Sequence, residues 1–276
     1  MTTSTRAPGS RFQEASGEAP ARGIGGIVAI AAQSRGRAVW RRHSSSGSVS
    51  GVLERLLSLL VPPACLACRA PLGRAGRDLC ARCRAELPWL GPETCPRCAL
   101  PRPCGACPAR RAAFTRAWAP MAHDGAARAL VRELKFRGTL AVAELMAAQI
   151  AANAPPGVLE HGVLVPVPTH PSRRRARGYD QAHALARMLV RRRSGPTVAS
   201  TCLARADPAS RQLGAGRSGR RAPGRLAIRV RGRVPSRIVL VDDVHTTGAT
   251  LDACARALRE AGAEEVTAIT YTRTLP

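Results

Sequence analysis

The chain has 276 residues, a formal charge of +25 and 3% aromatic residues. That length suits one sizeable domain plus something small, and no apolar run nears the roughly 18 residues needed to span a bilayer. The cations are nearly all arginine, the better bidentate phosphate binder, so nucleotides, pyrophosphate or nucleic acid are natural partners. Scarce aromatics argue against a stacking platform for single strands. Because an arginine- and alanine-rich composition also follows from a GC-rich coding sequence, motifs must carry any functional reading.

Residues 1–50, rich in Ser, Gly, Ala and Arg, read as a disordered extension or as the product of an upstream start codon. They lack the layout of a signal peptide, and Glu14 and Glu18 argue against an organellar transit peptide, so a cytoplasmic protein is expected. Residues 52–61 (VLERLLSLLV) predict a short amphipathic helix stopped by Pro62 and Pro63.

Eight of the ten cysteines then fall into four CxxC pairs: Cys65 and Cys68, Cys80 and Cys83, Cys95 and Cys98, Cys104 and Cys107. A two-residue gap lets both thiolates of a pair face one tetrahedral ion, and two pairs complete a four-thiolate site. Four pairs therefore suit two structural Zn2+ ions in a module spanning 51–112, with no ligand position left open for catalysis. Zinc is preferred over disulfides, which need a secretory context, and over an iron–sulfur cluster. Sequential pairing is the simplest arrangement, and interleaved pairing stays open. Cys202 and Cys254 stand alone and read as packing residues.

From about residue 117 strands and helices alternate. A strand is predicted over 118–122, with His123, Asp124 and Gly125 as its turn, followed by helices over 126–136 and 140–152. An apolar strand at 163–167 contains Pro166, and Pro168 follows it, which suits a strand end. A helix is expected over 180–192, and residues 225–230 read as a strand or hairpin arm. This alternation predicts an α/β fold with a doubly wound parallel sheet and ligands at the carboxyl ends of its strands. Two basic stretches, 168–180 and 207–233, read as surface loops, the second carrying Gln212, Arg217, Arg220 and Arg221.

The most informative segment is RIVLVDDVHTTGAT, residues 237–250. Residues 238–241 form the unbroken apolar run of a buried parallel strand, and Asp242 and Asp243 sit where that strand is expected to end. Thr246, Thr247, Gly248, Ala249 and Thr250 lead into a helix marked by Leu251, Cys254, Leu258 and Ala261, with Gly262 beyond its end. Unpaired N–H groups and the helix dipole welcome a phosphate at such a start, and glycine allows close approach. The acids would repel a phosphate but accept hydrogen bonds from a ribose diol, or hold Mg2+ through water. A P-loop is excluded, since GxxxxGK[ST] is absent and the chain's only lysine is Lys135.

The segment resembles the phosphoribosyl-pyrophosphate (PRPP) motif of type I phosphoribosyltransferases. The order of parts resembles the ComF family, in which a CxxC zinc region precedes a phosphoribosyltransferase-like domain. The likeness is carried by VPP-A-C at 61–65, the CxxC units, LKFRG at 134–138, VPVP at 165–168, RGYDQAHALA at 177–186 and the PRPP motif, and it covers about 53–272. It implies a domain of that kind over 113–276, with Arg173, Arg174, Arg175, Arg177, Gly178 and Gln181 as the pyrophosphate loop and Mg2+ accompanying PRPP. It also implies a role in DNA uptake, with single-stranded DNA and the uptake helicase machinery as partners. Two positions depart from the family, Asp180 where it has Asn and Pro223 where it often has Asn. Too little chain follows Thr250 for a hood over a nucleobase, so the acceptor of any transfer is undefined, and no residue stands out as a general base. The alternative reading is a non-catalytic zinc- and DNA-binding accessory protein.

Overall fold

The computed structural model describes residues 63–73, 78–160, 162–192, 195–205 and 226–276, which fall within one unit running from Val49 to Pro276. The extension over 1–50, the helix read at 52–61 and the arginine-rich stretch 207–225, with Gln212, Arg217, Arg220, Arg221 and Pro223, lie outside the described residues.

Among the described residues, six parallel strands make the central sheet. β1 (Arg116–Trp118), β8 (Glu265–Arg273), β7 (Arg237–His245), β3 (Val163–Pro166) and β4 (Thr197–Val198) lie side by side in that order, and β2 (Met121–Ala122) also pairs with β8. The strand expected over 118–122 is thus two short strands, because Ala119 and Pro120 interrupt it and proline has no N–H to give the ladder. A separate antiparallel pair joins β5 (Leu203–Arg205) to β6 (Ile228–Val230).

Parallel strands need cover on both faces, and β7 shows how the sequence arranges it. Val239 and Val241 enter one core with helices α2 (Gly125–Arg137), α3 (Leu140–Asn153) and α5 (Gln181–Arg192). Ile238 and Leu240 enter the other, with α6 (Ala249–Glu260) and the β5–β6 pair. Helix boundaries follow local chemistry. Asp124 caps α2 by accepting the Gly125 N–H at 2.8 Å, and Gly138 ends it in the left-handed region. At that glycine a Cβ would come within 2.8 Å of the Tyr179 ring.

Two readings need correction. The stretch 168–180 is not simply a loop, since it contains a short helix α4 (Pro171–Arg177), with Pro171 in its first turn and left-handed Gly178 at its end. Nor does β7 stop before the acids. It runs on to His245 because β8 continues beside it, pairing Asp242 with Thr270, Val244 with Thr272 and His245 with Arg273.

Candidate functional site

The cysteine module precedes the sheet in the chain. Two turns of like sequence, CLACRAP and CPRCALP, fold alike. Cys65 N–H donates to Ala70 O at 2.8 Å and Cys95 N–H to Leu100 O at 2.8 Å, while Arg69 and Ala99 return bonds to the Cys65 and Cys95 carbonyls. Arg69 and Ala99 occupy the left-handed region, with φ of 66° and 57°. A short helix α1 (Ala81–Ala85), whose N-cap is Cys80, presents Cys83.

The sulfurs of Cys65, Cys68, Cys80 and Cys83 all lie within 4.8 Å of one another, as do those of Cys95, Cys98, Cys104 and Cys107. Pairing is therefore sequential. A tetrahedron with Zn–S bonds of about 2.3 Å has S···S edges of about 3.8 Å, and Cys68···Cys80 measures 3.7 Å and Cys95···Cys107 4.0 Å. Burial pushes the Cys65 thiol up, yet N–H donors from Cys68, Cys80 and Ala67 outweigh it and bring it down to about 6. Cys95 falls likewise to about 7, with burial opposing the N–H groups of Arg97 and Cys98. The residues fit two Zn2+ ions, which when bound supply folding energy without an open coordination position. Cys202 and Cys254, outside both clusters, are buried in the apolar core.

The threonine-rich turn joins β7 to α6 at the carboxyl edge of the sheet. Gly248 has φ +80° and immediately precedes Ala249, the first residue of α6. A Cβ there would lie 2.7 Å from His245 Nε2, so both backbone and neighbour require glycine. The His245 ring stands edge-on to Phe114 at 6.1 Å, and burial, reinforced by the Arg273 charge, lowers its pKa to about 4. Thr246, Thr247 and Ala249 are exposed, and Gly248 and Thr250 half-buried, so the turn is open to a ligand. Thr247 Oγ1 accepts from Ala249 N–H at 3.3 Å.

Successive strand residues face opposite sides of a sheet, and this separates the two acids. Asp243, 7% exposed, faces the side of α2, where its Oδ2 meets Lys135 Nζ at 3.1 Å. Asp242 is half-buried, with Oδ1 accepting the Asp243 N–H at 2.8 Å. Burial first, and then the Asp243 charge, push its carboxyl well above the usual range. One acid thus faces an ammonium while its neighbour is driven toward the neutral form.

The basic helix α4 stands at the end of β3. Arg173, Arg174 and Arg175 are exposed, and the Arg177 guanidinium lies 5.8 Å from the Phe136 ring centroid. Gly178 is exposed, whereas Gln181 is buried and accepts from Thr169 Oγ1 at 3.1 Å, which makes it a support for the loop. Asp180 accepts the His183 N–H at 3.1 Å and the Thr169 N–H at 3.3 Å. Both are acceptor duties, so this departure from asparagine costs the local structure no donor that it uses.

Three residues here escaped the sequence reading. Lys135 carried one signal, its rarity. His123, read as a turn residue, places Nδ1 2.9 Å from Thr272 Oγ1, with its pKa lowered by burial and the Lys135 charge. Arg273, at the end of β8, is buried and bonds the carbonyls of Cys98, His245 and Thr246. Nothing local marks it.

Residues 56–113 match the family model described as the double zinc ribbon domain, so the chain carries that domain in its N-terminal half. No curated protein matches the chain. A solved hypoxanthine phosphoribosyltransferase from Staphylococcus aureus shares 10% identity over 49% of this chain and 73% of its own, with a TM-score of 0.31. No helix among the described residues is long and apolar enough to cross a membrane.

Proposed function

We propose that the chain binds PRPP, or another ligand with a ribose 5-phosphate end, at the carboxyl edge of β7. The observation that carries this reading is the open turn over 246–250, which has a left-handed glycine at the start of a 12-residue helix and two acids on the strand before it. The amide groups and hydroxyls of Thr246, Thr247, Gly248, Ala249 and Thr250 would hold the 5-phosphate. Asp242 and Asp243 would take the ribose hydroxyls, with Lys135 paired to Asp243. Arg173, Arg174, Arg175 and Arg177 on α4 would face the pyrophosphate.

Among the described residues only the cysteine clusters bring three or more potential metal ligands together, so Mg2+ would arrive with the ligand's own phosphates. A site of this kind serves transfer of the ribosyl group to a nitrogen acceptor, in which the C1–O bond to pyrophosphate breaks as a C1–N bond forms. The resemblance to ComF proteins read from the sequence supports the same ligand and a cytoplasmic role in DNA uptake.

Calorimetric titration with PRPP and Mg2+ tests the reading. Heat from the wild type that disappears in the Asp242→Ala, Asp243→Ala double variant is the expected result, and a silent wild type defeats it. Pyrophosphate release across a panel of nucleobases and amines would then identify an acceptor.

A second reading, single-stranded DNA binding, is favoured by one surface. Phe136 is 72% exposed, with Arg177 over its ring. Such binding should weaken steeply with salt, because phosphate contacts release counterions.

A further inference from the structure

Arg273 ends β8 with 3% of its surface exposed, and a guanidinium at that depth needs compensation. Among the described residues no carboxylate pairs with it. Its donors go to main-chain carbonyls instead. Nε bonds Cys98 O at 2.8 Å, and Nη1 bonds His245 O and Thr274 O at 2.8 Å each and also Thr246 O.

These partners belong to two different structures. Cys98 is a sulfur donor of the second four-cysteine cluster, while His245 and Thr246 open the threonine-rich turn. A Zn2+ ion with four thiolates carries a net charge of about −2, which makes that cluster the negative charge offsetting the buried cation. The bonds also fix direction. In a trans peptide C=O and N–H point opposite ways. Drawing the carbonyls of 245 and 246 in toward Arg273 therefore turns the N–H groups of Thr246 and Thr247 outward, as an anion requires.

We infer that Arg273 is the positioning residue of the anion-binding turn, and that metal occupancy of Cys95, Cys98, Cys104 and Cys107 sets the turn's affinity for phosphate. The first cluster lacks this link. It contributes to the core with α2, on the other face of the sheet, and its cysteines make no bond to residues 245–250 among the described residues. The ligand half of this inference rests on the ribose 5-phosphate reading, whereas the turn geometry does not.

The test uses the full zinc-loaded chain as wild type, Cys104→Ser, Cys68→Ser and Arg273→Lys. Zinc per chain is measured by atomic absorption, amide hydrogen exchange is followed over 245–250, and ribose 5-phosphate affinity is measured by calorimetry. Cys104→Ser should lose one zinc, speed exchange in the turn at least about tenfold and weaken binding by a similar factor. Its effect on the turn should exceed that of Cys68→Ser at least about fivefold. Arg273→Lys keeps the charge but not the planar fork, so it should retain both zincs and still speed exchange about tenfold. Equal effects of the two cysteine variants, or an Arg273→Lys turn that exchanges like wild type, would overturn the inference. Should Cys104→Ser fail to fold, the arginine variant decides alone. A wild type that binds no ribose 5-phosphate defeats the proposed function, and the exchange comparison still judges the coupling.

Discussion

The two zinc ribbons begin from the same local fold and end in different relations to the rest of the protein. Both have a left-handed residue after the second cysteine of a knuckle and a backbone bond from the first cysteine to the residue five positions on. The first ribbon docks through apolar contact, with Cys65, Leu72, Leu79 and Cys83 joining Ala126, Ala127 and Leu130 of α2, and adds the Arg69–Glu133 ion pair at the surface. The second also packs apolar residues, Cys95, Cys98, Leu100 and Phe114 among them, against Leu251 and Leu258 of α6, and adds several polar links. Arg273 reaches Cys98, Ala113 N–H donates to Asp252 Oδ1 at 2.7 Å, and Arg256 donates to the Arg111 carbonyl at 3.0 Å. Apolar docking is insensitive to direction, while hydrogen-bonded docking fixes orientation. The ribbon bonded to Arg273 is the one that adds a buried directional bond to its apolar contact.

The largest expected effect separates these modes. Arg273→Met removes the shared donor and leaves several buried carbonyls without it, a loss of about 4 kcal/mol by analogy with broken buried networks. Thermal unfolding should show it, with both zincs retained at low temperature. If melting stays near wild type, the buried links are dispensable and the contrast between the ribbons is wrong.

Acid comes next, through His245. Its folded pKa of about 4 lies below the ordinary value of about 6.5. The unfolded chain therefore binds the extra proton first as pH falls, and stability present above about 6.5 drains away toward 4, by about 3 kcal/mol in all. Urea midpoints measured against pH for the wild type and His245→Asn should diverge in that window, and parallel curves would remove His245 from the account.

A smaller change sharpens the view of the turn. Gly248→Ala places a Cβ against the His245 ring in a left-handed backbone, costing about 2 kcal/mol. Ribose 5-phosphate heat should fall much further than stability does. The smallest effect belongs to the first ribbon. Arg69 is 41% exposed, so Arg69→Ala should shift stability by less than about 1 kcal/mol. A larger loss would mean that the first ribbon, too, depends on a polar tie.

What could be read in advance follows from where each signal resides. The apolar run at 238–241 announced a strand because both its faces are buried, but the remaining residues of β7, DDVH, look like a loop in isolation. They are strand only because β8 continues alongside. Helix α4 was hidden because none of its residues is buried, so it has no apolar face to betray the period. CxxC spacing located both metal sites but could not pair them, since every gap within a pair is the same. The threonine-rich turn was legible because glycine and its neighbours carry local chemistry. Arg273 was not, because its partner Cys98 lies 175 residues away in sequence and no nearby pattern encodes that contact.

The alternation of β7 side chains has one more consequence. Val239 and Val241 share a core with the first knuckle, and Ile238 and Leu240 share one with the second. The cysteine segment therefore grips the sheet like a clasp with one jaw on each side. Severing the chain near residue 113 would strip both jaws at once and bare apolar surface on either side of the central strand. An N-terminal fragment would lose the wall it leans on, and the remainder would be left sticky on two faces. The zinc module is part of the sheet's own packing.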